Sequence, residues 1–218
     1  MKKILASIPM FSDLHDDELQ TIESHAASKS YPKNSIIINE GDNTNSLYII
    51  LSGKVKAFLS NEDGKEVILI MLKEGDYFGE LSILDSAPRS ASIMTMESCK
   101  FSIISKENFD KVMDKHPDIA RKIVGELTRT IRRLTDSVRN LALMDVYGRV
   151  ARTLLDMAEE DKDGNKIIDQ KLTHQDIAKM IGSSREMVSR IMKDLQKGGY
   201  ITPESKRIII NEKLPPGW

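Results

Sequence analysis

In the stretch GDYFGELSILDSAPRSAS, Gly75 to Ser92, an acid and a base stand nine residues apart. Glu80 is framed by Gly79 and Leu81. Arg89 is followed by Ser90 and Ala91, and Asp85, Ser86 and Pro88 break the segment between them. A carboxylate accepts hydrogen bonds from hydroxyls, and a guanidinium pairs with an anion through forked, charge-assisted bonds. Short turns rich in Gly and Ser expose backbone N–H groups to the same anion. Gly79 allows close approach of the backbone, and Ser90 adds a hydroxyl donor. The plainer reading is a structural ion pair across a turn. Neither residue has a second catalytic partner. The sequence shows no nucleophile–base constellation, no Gly-x-x-x-x-Gly-Lys loop and no zinc motif, so an enzyme is not expected. His15, His25, His116 and His174 have no paired metal-ligand spacing and read as surface or capping residues, so no metal is expected.

A second group lies near the C-terminus. KLTHQDIAKMIGSSREMVSRIMKDLQKGGYI holds two helix patterns separated by a tight turn at Gly182. Thr173 is placed to cap the first helix, with His174, Gln175 and Asp176 in its opening turn, and Ser183 or Ser184 caps the second. Arg185, Glu186, Ser189 and Arg190 then fall on or near one exposed face of the second helix's N-terminal half. That is the part of a recognition helix that reaches base edges. Arginine can fork onto guanine O6 and N7, and glutamate can accept from cytosine N4. A glutamate among basic residues repels phosphates, so its presence points to base reading as well as backbone attraction. The competing reading is a solvated face with an i,i+4 Glu186–Arg190 pair. The helix-turn-helix frame favours double-stranded DNA, with Thr173, Gln175 and Ser184 joining the contact set at the helix starts.

Elements of different period must position these groups. Residues 10–30 read as a short helical lead-in with Ser12 as N-cap and Leu14, Leu19 and Ile22 facing inward. From about Tyr31 to Ser105 the texture is short strands (SIIINEG, SLYIILSGKVKAFLS, KEVILIMLKEGD, ASIMTMES, KFSIIS) punctuated by Gly41-Asp42, Gly53, Asp63-Gly64 and Gly75-Asp76. Such spacing argues for a jelly roll or small barrel. After KHPD, with Pro117 at a helix start, a helical pattern runs to about Met144. Its apolar positions Val124, Leu127, Ile131, Leu134, Val138 and Leu141 form a heptad seam with β-branched residues at a and Leu at d. This pattern favours a parallel two-stranded coiled coil, hence a homodimer through the 120–141 helix. A further helix is expected around Asp145 to Glu159, then a charged turn, EEDKDGNK. YITPESKRIIIN reads as a hairpin, the wing of a winged helix. The expected class is α+β: an N-terminal jelly-roll β-barrel over 1–116, a dimerisation helix and hinge over 117–144, and a winged helix-turn-helix over 145–218.

Composition is compatible with this layout. The chain has 218 residues, 40% hydrophobic and 30% charged, enough apolar material for a core. Net charge is −1, but Lys166 to Arg207 carries nine Lys or Arg against five Asp or Glu, a locally basic region suited to an anionic polymer. A single cysteine, Cys99, excludes an intramolecular disulfide and a Cys-rich cluster and reads as a small buried thiol in a strand. The start, MKKILASIPMF, imitates a signal peptide only faintly, since Ser7 and Pro9 break it. The longest apolar run, Val67 to Leu72, is too short for a membrane span, so no membrane partner and a cytoplasmic location are expected.

SSREMVSRIMKDLQ resembles the recognition helix of the cyclic-AMP receptor protein (catabolite activator) family, within the superfamily of bacterial regulators that includes the fumarate–nitrate reduction regulator. An Arg-Glu-x-x-x-Arg set reads G·C pairs there, and Arg185, Glu186 and Arg190 match it; the resemblance implies palindromic operators with TGTGA-type half-sites. NLALMDVYGRVARTLL, Asn140 to Leu155, is similar to the family's hinge and first DNA-domain helix. FGELSILDSAPRSASI is similar to the phosphate-binding cassette of cyclic-nucleotide-binding domains. The resemblance covers nearly the whole chain. It implies a cyclic nucleotide, cyclic AMP first, as allosteric ligand: Glu80 on the ribose, Arg89 and Ser90 on the phosphate, and Gly79, Leu81 and Ala91 as cassette backbone. Leu69 and Ala57 would form barrel wall near the ligand. Two adjacent hydroxyl residues contact adenine in the best-known relatives; here those positions are Leu134 and Thr135. Thr135 keeps a hydroxyl and Leu134 does not, so cyclic GMP or a cyclic dinucleotide stays open as ligand. Ligand-independent action, sensing of redox state or a gas, and a regulatory subunit working through protein contacts are the alternatives. RNA polymerase is an implied partner; the loop Glu160–Lys166 stands where relatives touch it but is shorter here, and no contact is assigned to it.

Overall fold

The computed structural model describes residues 2–8, 11–12, 14–162, 165–169, 172–204, 207–211 and 214. The chain forms two units, Met1–Ile131 and Arg132–Trp218.

The first unit is built on two four-stranded antiparallel sheets. One has the order β1 (Ala27–Tyr31), β8 (Cys99–Ser105), β3 (Ser46–Ser52), β6 (Tyr77–Phe78); the other is β2 (Ile36–Ile38), β7 (Ser92–Thr95), β4 (Val55–Ser60), β5 (Glu66–Leu72). This is the expected β-rich fold. The apolar run Leu47–Leu51 of strand β3 follows from its two faces. Ile50 joins a core with Val55, Ala57, Phe78, Ile93 and Phe101, while Leu47, Ile49 and Leu51 face a second core with Ile83, Phe109 and Ile123. Alternate side chains leave a strand on opposite faces, so β3 is buried on both. Three aromatics interlock in the first of these cores: Tyr48 stacks on Phe78 at 5.0 Å, and Phe101 meets both edge-on. Cys99 is buried at the start of β8, its thiol 3.3 Å from the carbonyls of Lys54 and Glu97.

The N-terminal reading needs correction. Helix α1 covers Lys2–Ser7, and α2 covers Asp16–Ser24 with His15, not Ser12, as N-cap. Glu18 closes a capping box by accepting from the His15 backbone N–H at 2.6 Å, and Asp16 and Asp17 complement the helix dipole. Residues 27–30 are strand, not helix. Their side chains are exposed, and it is pairing with β8 that fixes them. Pro9, one of the residues breaking the N-terminal apolar run, lies outside the described residues. Helix α3 (Leu81–Leu84) turns within the Glu80–Arg89 segment. Helix α4 (Lys106–Lys115), capped by Ser105, follows β8.

Helix α5 runs from Pro117 to Leu143. Ile119 and Ile123 are buried and Leu127 packs partly on the second core. Val124, Ile131, Leu134, Val138 and Leu141 are each at least 47% exposed, an apolar seam uncovered in the protomer.

In the second unit α6 (Val146–Met157) is capped by Asp145. Strands β9 (Glu159–Glu160) and β10 (Lys166–Ile168) pair across the charged turn, of which Asp163 and Gly164 lie outside the described residues. They join the wing strands β11 (Ile201–Pro203) and β12 (Ile208–Ile210) in a four-stranded sheet of order β11-β12-β10-β9. The tip of the wing at Ser205 and Lys206 also lies outside the described residues. Helices α7 (His174–Ile181) and α8 (Arg185–Lys197) bury Ile177, Ile181, Val188, Ile191, Met192 and Leu195 in one core with Val150 and Leu154 of α6. Gly182 ends α7 in the left-handed region, φ 64°, where glycine carries no steric penalty.

Candidate functional site

Arg89 organises the site in the first unit. It is 4% exposed. Its Nε donates to Thr44 Oγ1 at 2.9 Å, Nη1 to the Gly79 carbonyl at 2.8 Å and Ser82 Oγ at 2.7 Å, and Nη2 to the Ser46 carbonyl at 2.9 Å. A guanidinium has five N–H groups, so one remains for a ligand, together with the positive charge. The backbone is tied down as well, Arg89 N–H donating to the Asp42 carbonyl and Gly41 N–H to the Arg89 carbonyl. The guanidinium carbon lies 5.9 Å from the centroid of the Tyr48 ring. Burial pulls Arg89 below the ordinary guanidinium value; Tyr48, Glu80 and Asp42 oppose that pull.

Gly79 makes this arrangement possible. Its φ is +86°, and a Cβ there would stand 2.6 Å from Arg89 Nη1 and 2.7 Å from the Ser46 carbonyl. Only hydrogen fits between the turn and the guanidinium. Glu80 follows at the N-cap of α3, where its carboxylate makes no cap bond. Burial raises its carboxyl above the usual carboxylate range, against its own backbone N–H and the charge of Arg89. Among the described residues the two do not close into an ion pair; they act on each other through space. The plain ion-pair reading is therefore not what the turn contains. At the far end of α3, Lys106 Nζ donates to the Ile83 carbonyl at 2.7 Å and secures the helix.

The other candidates of this unit are spread around that centre. Leu81 is 39% exposed, Ser90 is exposed and Ala91 packs partly on the sheet core. Ala57 is buried in that core and pairs with Ile70, while Phe58 pairs with Ile68. Leu69 is thus the extra residue of a β-bulge and is 44% exposed. Thr135 is exposed on the part of α5 that belongs to the second unit. Sequence reasoning missed Thr44, Ser46 and Ser82. Ser82 carried a weak signal as a hydroxyl within the cassette turn, whereas Thr44 and Ser46 come from 45 and 43 residues away.

In the second unit, Thr173 caps α7 in a box with Asp176, Thr173 Oγ1 accepting from Asp176 N–H at 3.1 Å. Ser184, not Ser183, caps α8, accepting from Met187 N–H at 3.2 Å. Ser189 is engaged by His174, whose Nδ1 lies 2.7 Å from Ser189 Oγ. Arg185, Glu186 and Arg190 are exposed on α8, Gln175 is exposed on α7, and no Glu186–Arg190 pair forms among the described residues. Leu172, Thr173, His174, Gln175 and Arg185 line a cleft of about 480 Å³. Among the described residues no group of three potential ligands comes together as a metal site, and no helix is long and apolar enough to cross a membrane.

Comparison with known proteins covers both units. The cyclic nucleotide-binding domain matches residues 28–116 and the Crp-like helix-turn-helix domain residues 148–213. The chain is 36% identical over 201 residues to the cAMP-activated global transcriptional regulator CRP of Pasteurella multocida, covering 89% of this chain and 95% of that protein. It is 30% identical over 215 residues to the CRP-like cAMP-activated global transcriptional regulator of Mycobacterium tuberculosis, covering 97% and 96%. The c-di-GMP responsive global regulator CLP of Xanthomonas campestris shares the fold, with TM-score 0.77 at 24% identity over 91% of this chain and 100% of that one.

Proposed function

This chain belongs to the Crp-like transcription regulators that join a cyclic nucleotide-binding domain to a helix-turn-helix, and from that premise we propose a homodimeric factor gated by cyclic AMP and reading a TGTGA-type palindrome. The observation that carries the ligand half is the buried Arg89 network. A positive charge is held ready by four hydrogen bonds behind a glycine that admits no side chain. Such an anchor suits one small anion. We assign the cyclic phosphate to Arg89, Ser90 and the cassette backbone at Gly79, Leu81 and Ala91. The ribose hydroxyl goes to Glu80, whose half-buried carboxylate gains an O–H donor on binding. Thr135 carries over as the base contact. The regulators of Pasteurella multocida and Mycobacterium tuberculosis are described as cAMP-activated, which supports that nucleotide. Leu134, a residue without a donor beside Thr135, is the one observation favouring a different base.

For the DNA half, Arg185, Glu186 and Arg190 are exposed and unpaired with one another on α8, and we assign them to base edges. The uncovered heptad seam of α5 is assigned to a second copy, whose recognition helix would then lie roughly 34 Å away on the operator. The ligand shifts the DNA-competent population only through its difference in affinity for the two states. The factor acts in the cytoplasm and meets RNA polymerase at its promoter. Calorimetric titration with cyclic AMP, cyclic GMP and cyclic di-GMP identifies the ligand, and a gel shift on a TGTGA palindrome with and without saturating nucleotide tests gating. Equal operator affinity in both conditions defeats the gating claim, and a Val138→Lys variant that stays dimeric defeats the seam.

A further inference from the structure

We propose that Lys106 is a positioning residue for the nucleotide site: it braces the two walls of the Arg89 cradle against each other, so that the guanidinium is set before a ligand arrives. The inference rests on the nucleotide-binding role proposed above. The acceptors of Arg89 come from two stretches far apart in sequence. Thr44 Oγ1 and the Ser46 carbonyl form one wall, and the Gly79 carbonyl and Ser82 Oγ form the other. Lys106 bonds to both. Its backbone N–H donates to the carbonyl of Asn45, between Thr44 and Ser46, at 3.1 Å. Its Nζ donates to the carbonyl of Ile83, next to Ser82, at 2.7 Å.

Lys106 is the first residue of α4, directly after the Ser105 cap. An ammonium there lies at the positive end of its own helix dipole and gains nothing from it. The side chain reaches instead to the end of α3, where helix carbonyls lack intrahelical partners. Helix α3 has four residues, too few to hold a helical turn unaided in water. Two ties on Ile83 hold it to the body of the unit: the side chain, 1% exposed in the second core, and the carbonyl that Lys106 engages. Asp110, one turn along α4, lies 3.5 Å from the same Nζ, a half-exposed pair that contributes little by itself. Without the ammonium, the Ile83 carbonyl loses its donor and α3 is free to part from the Thr44–Ser46 wall. The Gly79 carbonyl and Ser82 Oγ then meet the guanidinium for only part of the time. A site assembled for a fraction of the time binds with its affinity and its association rate reduced by that fraction.

The test uses the full chain. Cyclic AMP is titrated calorimetrically, and stopped flow follows the association and dissociation of a fluorescent cyclic AMP derivative. Lys106→Met is expected to weaken binding about tenfold, with the whole loss in the association rate. The loss is expected to persist from about 0.05 to about 0.5 M salt, a range over which a mere through-space attraction is screened. Lys106→Arg, which keeps a charged donor, is expected to bind within about threefold of wild type. Lys106→Gln, a neutral side chain on a shorter stem, is expected to show the methionine loss and gives the reading if the methionine variant does not fold. In the ligand-free protein, the Ile83, Leu84 and Asp85 amides, which donate to the Glu80 and Leu81 carbonyls, are expected to exchange about tenfold faster in Lys106→Met, with β3 unchanged. Wild-type affinity in the neutral variants, a loss that vanishes in high salt, or β3 amides quickened as much as those of α3 overturns the proposal. A wild-type chain that binds neither cyclic AMP nor cyclic GMP overturns instead the role on which it rests, and the exchange measurement then still reads the brace.

Discussion

The two arginine sites proposed for anions are built in opposite ways. Arg89 is 4% exposed and gives four hydrogen bonds to the protein before any ligand arrives. Arg185 and Arg190 stand exposed on α8. A single small anion offers few contacts and cannot repay much ordering, so its receptor must be ordered in advance. A nucleic acid brings a row of phosphates and releases counterions on contact, so its receptor can keep long side chains in solvent until they meet base edges. The first design links ligand affinity to the stability of the fold. The second separates specificity from stability.

Substitutions that strike one site and spare the other test that contrast. The largest effect is expected from Arg89→Leu, which removes the anion's partner and leaves the Gly79 and Ser46 carbonyls and Ser82 Oγ without their donor. Nucleotide binding should fall by more than a hundredfold, and urea unfolding should show a loss of about 3 kcal/mol. A stable Arg89→Leu protein would break the contrast. Gly79→Ala comes next. Its Cβ must displace the Arg89 guanidinium, and its φ of +86° is strained for any side chain; a loss of about 2 kcal/mol is expected by thermal unfolding, with nucleotide affinity down more than tenfold. Arg185→Ala should weaken specific DNA binding by about 1–3 kcal/mol in a competition gel shift, with unfolding unchanged within about 0.5 kcal/mol.

The smallest effect sharpens the picture of Glu80. Its folded carboxyl value is raised, so between the unfolded value, about 4.3, and the folded one the native state holds more proton than the unfolded chain. Stability therefore falls as pH rises through that window and stays lower above it. Glu80→Gln should remove this decline and stabilise the ligand-free protein at pH 7, while losing nucleotide affinity. Calorimetric unfolding from pH 4 to 8 reads both the sign and the window.

Much of this molecule was legible in its sequence because residue types and periods report local structure. The strands from Ile36 to Ser105, the span of α5 from Pro117, the Thr173 cap and the Gly182 turn all follow from patterns a few residues long. What escaped depends on distant partners. Polar Ala27–Ser30 is a strand only because β8 pairs with it. Leu69 is exposed because the register of β4 and β5 slips by one residue, which no local pattern announces. The cradle of Arg89 is half backbone carbonyl, and a carbonyl has no residue type to read.

Strand β3 sends Leu47, Ile49 and Leu51 into one core and Ile50 into the other, and its first residue, Ser46, lends Arg89 a carbonyl. Opening it would expose two interiors at once, so its amides should be among the slowest in the first unit to trade hydrogen for deuterium. The guanidinium proposed to receive the nucleotide is thereby moored to the part of the unit expected to open least.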